Sequence, residues 1–427
     1  MKKVRIGLLG CGNVGSALCR LVKEKHELYQ TRDGIDFEIA MIAEVNAGKA
    51  RPDYVPVDRM VKDWRLVTSS DKVDIVVELI GGVGDAKDAV YDSLNHGHHT
   101  VTANKALLST DGMALTRLAV SKNCGLCFEA SVGGGVPVIA SITETLNANR
   151  FQSISAIVNG TTNFILTRMT EEGLTYEQAL VQAQEKGFAE ANPSFDVEGK
   201  DAAQKLSILA ALAFGMNVPA RDIYTEGITR VSIEDIKLAA TFDYVIKLLA
   251  IGRRIKHGVE LRVHPALISK NHPLASVRDE FNAFFLNGDV TGDIMLYGKG
   301  AGPMPTAGAV LGDISRLALR EDSTWFERHW AYENQEHVPI GDIETGYYLI
   351  FPVLDKPGVI GRITSTLGSY GINIEQAHAH LPKKGEGRGL VQILSRKARE
   401  RDIRSALKAV CELPVHTGEP WFYRIED

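Results

Sequence analysis

The N-terminus of the chain places a strand, a glycine-rich turn and a helix in immediate succession. Residues 4–9 (VRIGLL) form a short β-branched and apolar run that leads directly into the sequence GCGNVG at residues 10–15. In this G-x-G-x-x-G spacing, Gly10 forms the tight turn, Gly12 lets the backbone approach a pyrophosphate, and Gly15 lets the helix pack on the strand. Because the free N–H groups and the dipole of a helix N-terminus attract an anion, this stretch predicts a Rossmann-type domain that binds a dinucleotide.

The second predicted strand, residues 37–43, bears on the choice of dinucleotide. It is followed by Glu44, and an acidic residue at this point usually accepts hydrogen bonds from the ribose hydroxyls of NAD. Lys49 and Arg51 lie close by in the sequence and could instead pair with the 2′-phosphate of NADP. The pattern leans towards NAD and leaves NADP open.

Two further strands of this domain end in residues suited to a ligand site. Residues 73–80 are almost continuously apolar, as in a buried parallel strand, and end at two glycines. Residues 99–102 run directly into Ala103, Asn104 and Lys105. Ligands of open α/β sheets bind at the carboxyl ends of the strands, and a solvated surface charge explains a lysine there poorly. We therefore predict that Lys105 has a functional role.

A triple glycine follows the first domain in the sequence EASVGGGV at residues 129–136, before a predicted helix over residues 137–146. Three glycines imply close approach of the backbone to another group. The carboxylate of Glu129 and free carbonyl groups could bind a hard cation through oxygen. From composition alone, a plain turn is the simpler interpretation.

Residues 183–205 combine a helix end, a loop and a second helix with several charged side chains. Gly187 ends the first helix, an Asn-Pro pair forces a turn, and Gly199 precedes the second helix. Asp201 and Lys205 are spaced i,i+4, so both side chains leave one face near the start of that helix. Its later turns are almost wholly apolar, which predicts burial. The residues alone leave open whether this pair is catalytic or an ordinary ion pair.

The remainder of the chain predicts a mixed sheet and a separate C-terminal module. The predicted strands of the mixed sheet are residues 226–231, 245–254, 259–263 and 294–297. A second glycine-rich segment, residues 298–303, then opens a helix that could close back over the cofactor. The C-terminal module reads as β-α-β-β-α, nearly a ferredoxin-like unit, with strands at 347–353, 373–380 and 389–394 and helices at 359–370 and 402–410.

The C-terminal module resembles the ACT domain through the sequences DKPGV at residues 355–359 and GINI at residues 371–374. This resemblance implies an amino-acid effector bound between copies of the module. A bare oligomerisation module is the alternative, since a fold does not fix its function.

Composition bounds the partners of the protein. A formal net charge of −5 without basic blocks argues against nucleic acid and against an anionic membrane surface. No apolar run reaches the length of a membrane span. The five cysteines suit a reducing compartment better than a disulfide framework, and the early first strand leaves no room for a signal peptide. We expect a cytoplasmic protein.

Several of these features together resemble the homoserine dehydrogenase family. They are the dinucleotide motif, the sequence TANK at residues 102–105, the sequence EASVGGG at residues 129–135, and the ACT-like module. The signature of this family is matched without departure from Ala183 to Lys205. It runs through Gly187, Asn192, Pro193, Asp196, Gly199 and Asp201. The resemblance covers essentially the whole chain.

The resemblance implies NAD(P)-linked interconversion of L-aspartate 4-semialdehyde and L-homoserine, at the branch towards threonine, methionine and isoleucine, with feedback by threonine. The expected α/β architecture begins with a Rossmann-type dinucleotide-binding domain (residues 1–130) and an α+β substrate-binding and dimerisation domain with a mixed sheet (131–320). A linker (321–346) and a ferredoxin-like ACT regulatory domain (347–427) follow. The helix at about residues 303–320 is expected to pack back on the first domain.

Site residues are transferred position by position. Lys205 resembles the acid/base of the family, and Lys105 a second lysine near cofactor and substrate. The substrate-binding positions are Glu190, Asp196 and Asp201. The cofactor positions are Gly10, Gly12, Asn13, Val14, Gly15, Lys105 and Gly302. A monovalent cation, sodium, is implied at Glu129, Val132, Gly134 and Val136, largely through backbone oxygens. Many members carry arginine after the second strand, where this chain has EVN at residues 44–46, so an NADP preference is in doubt.

Two other functions compete with this one. Aspartate-semialdehyde dehydrogenase needs a nucleophilic cysteine, and no cysteine of this chain lies in the substrate region. A catalytically silent amino-acid sensor would keep the fold and the ACT module only, and the intact Lys105, Glu190 and Lys205 argue against it. A homodimer or homotetramer is expected, because the ACT module and the middle sheet both offer edges for pairing.

Overall fold

The N-terminal domain of the computed structural model is a parallel six-stranded sheet covered by helices. The structure describes residues 1–46, 48–319, 335–380 and 388–426, with the backbone alone at residue 388. The strands are β1 Lys2–Leu9, β2 Ile35–Ala43, β3 Met60–Val61, β4 Ile75–Glu78, β5 His99–Thr102 and β6 Leu126–Cys127. The helices are α1 Asn13–Glu24, α2 His26–Asp33, α3 Arg65–Thr68, α4 Gly84–Asn95 and α5 Lys105–Ser121.

The strand order β3-β2-β1-β4-β5-β6 is that of a dinucleotide-binding fold. β1 pairs with β2 on one side and with β4 on the other, so the order reverses between β1 and β4. The predicted Rossmann-type domain is confirmed. Its carboxyl edge brings the glycine-rich turn after β1 beside the ends of β4 and β5.

The middle domain builds one side of a second, ten-stranded sheet. Its strands are β7 Phe151–Ile157, β8 Tyr224–Thr225, β9 Tyr244–Ile255, β10 Gly258–Ser269, β11 Phe281–Gly288 and β12 Gly292–Lys299. Its helices are α6 Val138–Ala140, α7 Gly160–Glu172, α8 Tyr176–Glu185, α9 Ser194–Val197, α10 Lys200–Phe214, α11 Ile233–Ala240 and α12 Pro303–Leu319. α12 leaves this domain and packs its apolar face, including Leu311, Ile314 and Leu317, in the core of the N-terminal domain.

One local prediction in the middle domain is wrong. Residues 226–231 are not a strand, because Ile228 donates its N–H to Val197 in a loop contact instead of to a neighbouring strand. The predicted helix over residues 137–146 is present from Val138 to Thr145, as α6 followed directly by a π-helical turn, Ser141–Thr145. Strand β11 was not predicted, although it pairs with both β7 and β12.

The C-terminal module completes the ten-stranded sheet. It contains β13 Glu344–Leu354, α13 Val359–Ser369, β14 Ile374–His380, β15 Arg388–Arg399, α14 Glu400–Cys411 and β16 Trp421–Glu426. The full order is β12-β11-β7-β9-β10-β16-β13-β15-β14, with β8 also paired to β10. The unpredicted β16 supplies the last strand of a β-α-β-β-α-β unit, which confirms the ferredoxin-like module. Because β16 pairs in parallel with β10, the sheet runs continuously from the middle domain into this module.

The first part of the predicted linker, residues 321–334, lies outside the described residues. The part that is described contains a short 3₁₀ turn, Ile340–Asp342, and the start of β13 three residues before the predicted boundary. Among the described helices, none has both the length and the apolar character needed to cross a membrane.

Candidate active site

The glycine-rich turn leaves open space where a pyrophosphate would approach the backbone. Gly10 has φ +89°, and a side chain there would meet the carbonyl oxygen of Leu79 at 2.8 Å. A Cβ on Gly15 would lie 2.3 Å from the carbonyl oxygen of Gly10, so helix α1 packs too closely for any larger residue. A Cβ on Gly12 would meet nothing within 4 Å. The turn therefore combines two sterically required glycines with an accessible stretch of backbone at the start of α1.

Glu44 fixes this turn from the end of β2. Its Oε2 accepts the N–H of Cys11 at 2.9 Å, and its Oε1 accepts the N–H of Asn46 at 3.0 Å. The Arg51 guanidinium lies 3.2 Å from Oε2. Burial opposes ionisation of Glu44, but the backbone donors and Arg51 outweigh it and hold the pKa below its ordinary value. The carboxylate is thus already engaged where an adenine ribose would lie.

Two buried polar residues that were not predicted organise the ends of β4 and β5. Glu78 accepts the N–H groups of Ile80 and Gly81 at 2.8 and 3.0 Å, and the hydroxyl of Thr102 at 2.6 Å. Asn104 caps helix α5 and donates to the carbonyl oxygen of Gly82 at 2.6 Å. These contacts place Lys105 at the first position of α5.

Asp201 is the centre of a cluster that joins the two domains. Its Oδ2 lies 2.7 Å from Lys205 Nζ and accepts Asn159 Nδ2 at 2.8 Å, while its Oδ1 lies 3.0 Å from Lys105 Nζ. Asp201 is 3% exposed. Burial alone would favour the neutral acid, but the two ammonium groups and the hydrogen bonds hold the pKa of Asp201 well below its usual range. The i,i+4 pair predicted from sequence is therefore part of a three-residue charge cluster.

Lys205 is held by two acceptors. Its Nζ donates to the carbonyl oxygen of Val158 at 2.6 Å as well as to Asp201. Asn282 also donates to that carbonyl, at 3.0 Å. Since an ammonium group has three donors, the two hydrogen bonds to described residues leave Lys205 one N–H for a ligand oxygen.

The other two predicted substrate residues, Asp196 and Glu190, are less buried than Asp201. Asp196 is half-buried and accepts Asn159 Nδ2 at 2.7 Å, and burial, with the Asp201 charge beside it, raises its pKa. Glu190 is exposed, and within the described residues no hydrogen bond or ion pair joins its carboxylate to the Asp201 cluster. The structure brings together Lys105, Asp196, Asp201 and Lys205, and leaves Glu190 exposed and outside this network of contacts.

Asn159 is the residue of this cluster that the sequence reasoning missed. One side chain bridges Asp196 and Asp201 and also caps helix α7, accepting the N–H of Thr162 at 2.9 Å. The available signal was the sequence NGTT at residues 159–162, directly after a strand and before a helix, where asparagine is a preferred N-cap.

The glycine loop at residues 133–135 packs on the second glycine-rich segment. Gly133 and Gly134 have positive φ, and a Cβ on Gly134 would lie 2.5 Å from the carbonyl oxygen of Gly300. Gly135 donates its N–H to Lys299 at 3.1 Å. Gly302, with φ +117°, then leads into α12. The two loops and the start of α12 therefore form one packed unit.

Glu129 lies next to this unit in a cluster rich in acids. Its two oxygens accept the N–H groups of Ile139 and Ala140 at 2.8 and 2.7 Å. Glu129, Glu144 and Asp313 all approach one guanidinium, that of Arg316, at 3.7, 3.0 and 3.2 Å. Burial raises the pKa of Glu129 and raises that of Asp313 to about 7. Within the described residues, no group of three or more His, Cys, Asp or Glu side chains has the geometry of a metal site.

Three family models together match most of the chain. One described as homoserine dehydrogenase matches residues 137–315, and one described as homoserine dehydrogenase, NAD binding domain, matches residues 10–129. A third, the ACT domain, matches residues 347–415.

Full-length relatives agree with these models. A homoserine dehydrogenase of Neisseria gonorrhoeae is 40% identical over 421 residues, covering 96% of this chain and 95% of the relative. The crystal structure of a homoserine dehydrogenase from Thiobacillus denitrificans is 34% identical, with a TM-score of 0.92 over 100% of this chain and 99% of that one. A hyperthermophilic archaeal homoserine dehydrogenase in complex with NADPH is 27% identical, with a TM-score of 0.64 over 74% of this chain and 98% of that one.

Proposed function

Because the chain belongs to the homoserine dehydrogenase family, we propose that the Asp201 cluster is the site at which it interconverts L-homoserine and L-aspartate 4-semialdehyde. The protein is an oxidoreductase with a nicotinamide dinucleotide cofactor. The observation that carries the assignment of the site is the convergence of Lys105, from the dinucleotide-binding domain, and Lys205, from the middle domain, on one buried carboxylate. A catalytically silent sensor is not favoured, since it would have no use for such a cluster.

The residues of the cluster have separate tasks in this reaction. The bound nicotinamide supplies or accepts the hydride at the carbon that carries the oxygen. Lys205 presents its third N–H to that oxygen and gives it a proton during aldehyde reduction, or takes one during alcohol oxidation. Lys105 stabilises the negative charge that develops on the oxygen. Asp201 keeps both ammonium groups close together despite their mutual repulsion.

The α-ammonium group of the amino-acid substrate needs acidic partners. Asp196 accepts a hydrogen bond from Asn159 and is only half-buried, and Glu190 is exposed. We assign both residues to binding of the substrate's ammonium group. Asp201, which is buried, is the third acidic residue that we assign to substrate binding. The carboxylate of Glu190 is exposed in the structure. The ammonium group of bound homoserine would pair with it.

Homoserine-dependent reduction of the nucleotide tests this assignment. With purified full-length protein and homoserine, absorbance of the reduced nicotinamide should rise, and the reverse reaction should consume L-aspartate 4-semialdehyde. Replacing homoserine by serine or by threonine supplies the matched controls. If homoserine gave no reduction with NAD or with NADP, the proposed function would be wrong.

The cofactor preference that we propose is NAD, with Arg51 as the residue that decides how well NADP is accepted. The Arg51 side chain is 9% exposed, and its Nε has no hydrogen-bond partner among the described residues. It donates to the carbonyl oxygen of Cys11 and pairs with Glu44. The cation therefore lies beside the predicted ribose, where it offsets the repulsion between Glu44 and a 2′-phosphate.

In Arg51→Ala, the ratio of kcat/KM for NAD to kcat/KM for NADP is expected to rise by about tenfold, because the 2′-phosphate of NADP loses one hydrogen bond to a charged group. Steady-state kinetics with each nucleotide measures the two kcat/KM values. Lys72→Ala changes an exposed lysine just before β4, at the opposite end of the strands from the glycine turn; it is the matched control and should leave the ratio unchanged. An unchanged ratio in Arg51→Ala would show that Arg51 only ties the glycine turn to Glu44.

We also propose that a monovalent cation, sodium, is held at Glu129 and the backbone oxygens of Val132, Gly134 and Val136. The fit rests on charge, because Glu129, Glu144 and Asp313 share the single guanidinium of Arg316. Each carboxylate oxygen of Glu129 accepts one backbone N–H and keeps a further acceptor site. A bound cation would orient the glycine loop that packs against Gly300.

The C-terminal module is proposed to bind an amino-acid effector, threonine by resemblance. A cavity of about 470 Å³ lies between the loop at residues 354–361 and the strands β14 and β15. Both outer strands of the ten-stranded sheet, β12 and β14, present an unpaired edge within the described chain. We propose that one of these edges forms the interface of a dimer or tetramer.

A further inference from the structure

Strand β16 joins the C-terminal module to the middle domain and carries buried charges on one face. Its residues Arg424 and Glu426 lie opposite Ala266 and Ile268 of β10. Arg424 is 1% exposed and Glu426 is 3% exposed. Because a buried charge is costly unless it is paired and hydrogen-bonded, the partners of these two residues define how the two parts of the protein are joined.

Arg424 binds two carboxylates that come from different parts of the chain. Its Nε and Nη2 donate to Glu400 of α14 at 2.6 and 2.7 Å. Its Nη1 and Nη2 donate to Glu226 of the middle domain at 3.2 and 3.1 Å. Burial opposes ionisation of Glu226, but the charge of Arg424 outweighs it and holds the pKa below its ordinary value. One planar guanidinium therefore clamps the middle domain to the C-terminal module, a geometry that lysine cannot reproduce.

Glu226 begins a short loop, residues 226–228, which we call the relay loop. The N–H of Glu226 is bound by Val263 of β10 at 2.8 Å, and the N–H of Ile228 is bound by Val197 at 2.8 Å. Between them, a Cβ on Gly227 would lie 2.2 Å from the carbonyl oxygen of Val197 and 2.5 Å from the Cα of Glu198. The relay loop thus lies in direct backbone contact with residues 197–198.

Residues 197–199 connect the two acidic residues of the active site. Helix α9 before them carries Asp196, and helix α10 after them carries Asp201. Gly199 has φ +82°, and a Cβ there would lie 2.9 Å from the Thr225 side chain, just before the relay loop. Because closely packed backbone transmits displacement instead of absorbing it, movement of the relay loop would shift both acidic residues.

The opposite side of the relay loop faces open space. A cavity of about 990 Å³ lies along the junction between the middle domain and the C-terminal module. It is lined by Glu226 and Gly227 on one side and by Arg404, Trp421 and Phe422 on the other. The relay loop is therefore held by its backbone contacts with β10 and with residues 197–198 and, beside this cavity, by the Arg424 clamp.

We propose that Arg424 is a positioning residue for the active site, which acts through Glu226 and the relay loop to hold residues 197–199, and with them Asp196 and Asp201, in place. This inference rests on the proposed function, because the pocket that is positioned is the one assigned to homoserine. It also gives the C-terminal module a physical route to the substrate site, although none of the module's described residues forms a hydrogen bond or ion pair with Asp201.

Glu226→Gln tests the proposal, because it keeps the size of the side chain and removes its charge. KM for homoserine is expected to rise by about three- to tenfold, the range of energetic coupling through packed networks. kcat is also expected to fall, because Asp201 holds both lysines, whereas KM for the nucleotide should change by less than about twofold, since the glycine turn is untouched. Hydrogen–deuterium exchange of the peptide containing residues 194–201 and of Ile228 should become faster in the same variant.

Arg253→Gln is the matched control. It breaks another ion pair of β16, between Arg253 and Glu426 at 2.8 Å, and has no contact with the relay loop in the described structure. It should change neither the homoserine KM nor the exchange of residues 194–201. A Glu226→Gln/Arg424→Gln double variant should show no larger KM than the greater of the two single variants, since both act through one contact.

Two results would overturn the proposal: parent-like KM and exchange in Glu226→Gln, or equal changes in Arg253→Gln. The exchange measurement needs no turnover, so it decides the relay independently of homoserine oxidation. Absence of homoserine turnover in the parent would reject the proposed function, whereas turnover with unchanged KM and exchange in Glu226→Gln would reject the relay alone.

Discussion

Replacing Lys205 with alanine is expected to lower kcat for homoserine oxidation by about 10²–10⁴-fold, the usual contribution of a positioned acid or base. The reason is geometric. Lys205 Nζ is fixed by Val158 and Asp201 at 2.6 and 2.7 Å, and its side chain is only 12% exposed. Its remaining N–H therefore has a defined direction. KM for homoserine should rise far less than kcat falls, because the substrate's ammonium group is bound elsewhere. Steady-state kinetics with homoserine and NAD measures both constants.

Two lysines provide the controls for this prediction. Lys200→Ala changes an exposed residue at the start of the same helix, paired with Glu198, and should leave kcat unchanged. Lys105→Ala removes the more exposed member of the Asp201 cluster, 36% exposed, and should also raise KM for the nucleotide. If turnover of Lys205→Ala stayed within about threefold of the parent, a transition-state role worth a kcal/mol or more would be excluded.

Local sequence was sufficient for the elements whose partners are close in the chain. The strand, glycine turn and helix at residues 4–22 predicted the dinucleotide-binding domain, because each glycine has a local steric reason. Strand β16 was missed because what makes it a strand is its pairing with β13 and β10, more than seventy and more than a hundred residues earlier. Residues 226–231 failed for a related reason, since the contact of Gly227 with Val197 decides their conformation.

The candidate site divides in the same way. The i,i+4 spacing placed Lys205 beside Asp201 correctly, because that contact lies within one helix. The contacts of Asp201 with Lys105 and Asn159 cross domains or elements, and no periodicity in the sequence reveals them. The position of Lys105 at the end of a strand and the family resemblance both indicated a functional role for Lys105, but neither gave a role to Asn159. The Asp201 carboxylate is shared by two lysines. Its removal is therefore expected to affect both of them.

Asp201→Asn is expected to lower the free energy of unfolding at pH 7 by about 2–3 kcal/mol. This is somewhat less than the cost of removing one partner of a fully buried ion pair, because Lys105 can reach solvent. The variant is also expected to lower kcat by about 10²-fold or more, since two ammonium groups would then face each other without a counter-charge and the site would lose its orientation. Denaturant unfolding and steady-state kinetics measure the two effects.

The folded-state pKa of Asp201 is lowered, so the stability that Asp201 contributes is complete above its unfolded-state pKa and is lost as pH falls through its folded-state pKa. The stability difference between parent and variant should therefore be constant near neutrality and shrink below about pH 4.

Asp196→Asn is the matched control. It makes the same chemical change in the same acidic segment, but the pKa of Asp196 is shifted in the opposite direction from that of Asp201. Burial raises the pKa of Asp196, so its ionised form is disfavoured in the folded state, and the associated stability is lost as pH rises through that raised value. Removing this charge should leave stability at pH 7 unchanged or slightly higher, while KM for homoserine rises because a partner of the substrate's ammonium group is lost. Equal destabilisation by both variants at pH 7 would mean that the two carboxylates serve only as hydrogen-bond acceptors for Asn159. A loss of stability confined to Asp201→Asn would show that Asp201 stabilises the fold by holding two lysines, one from each domain.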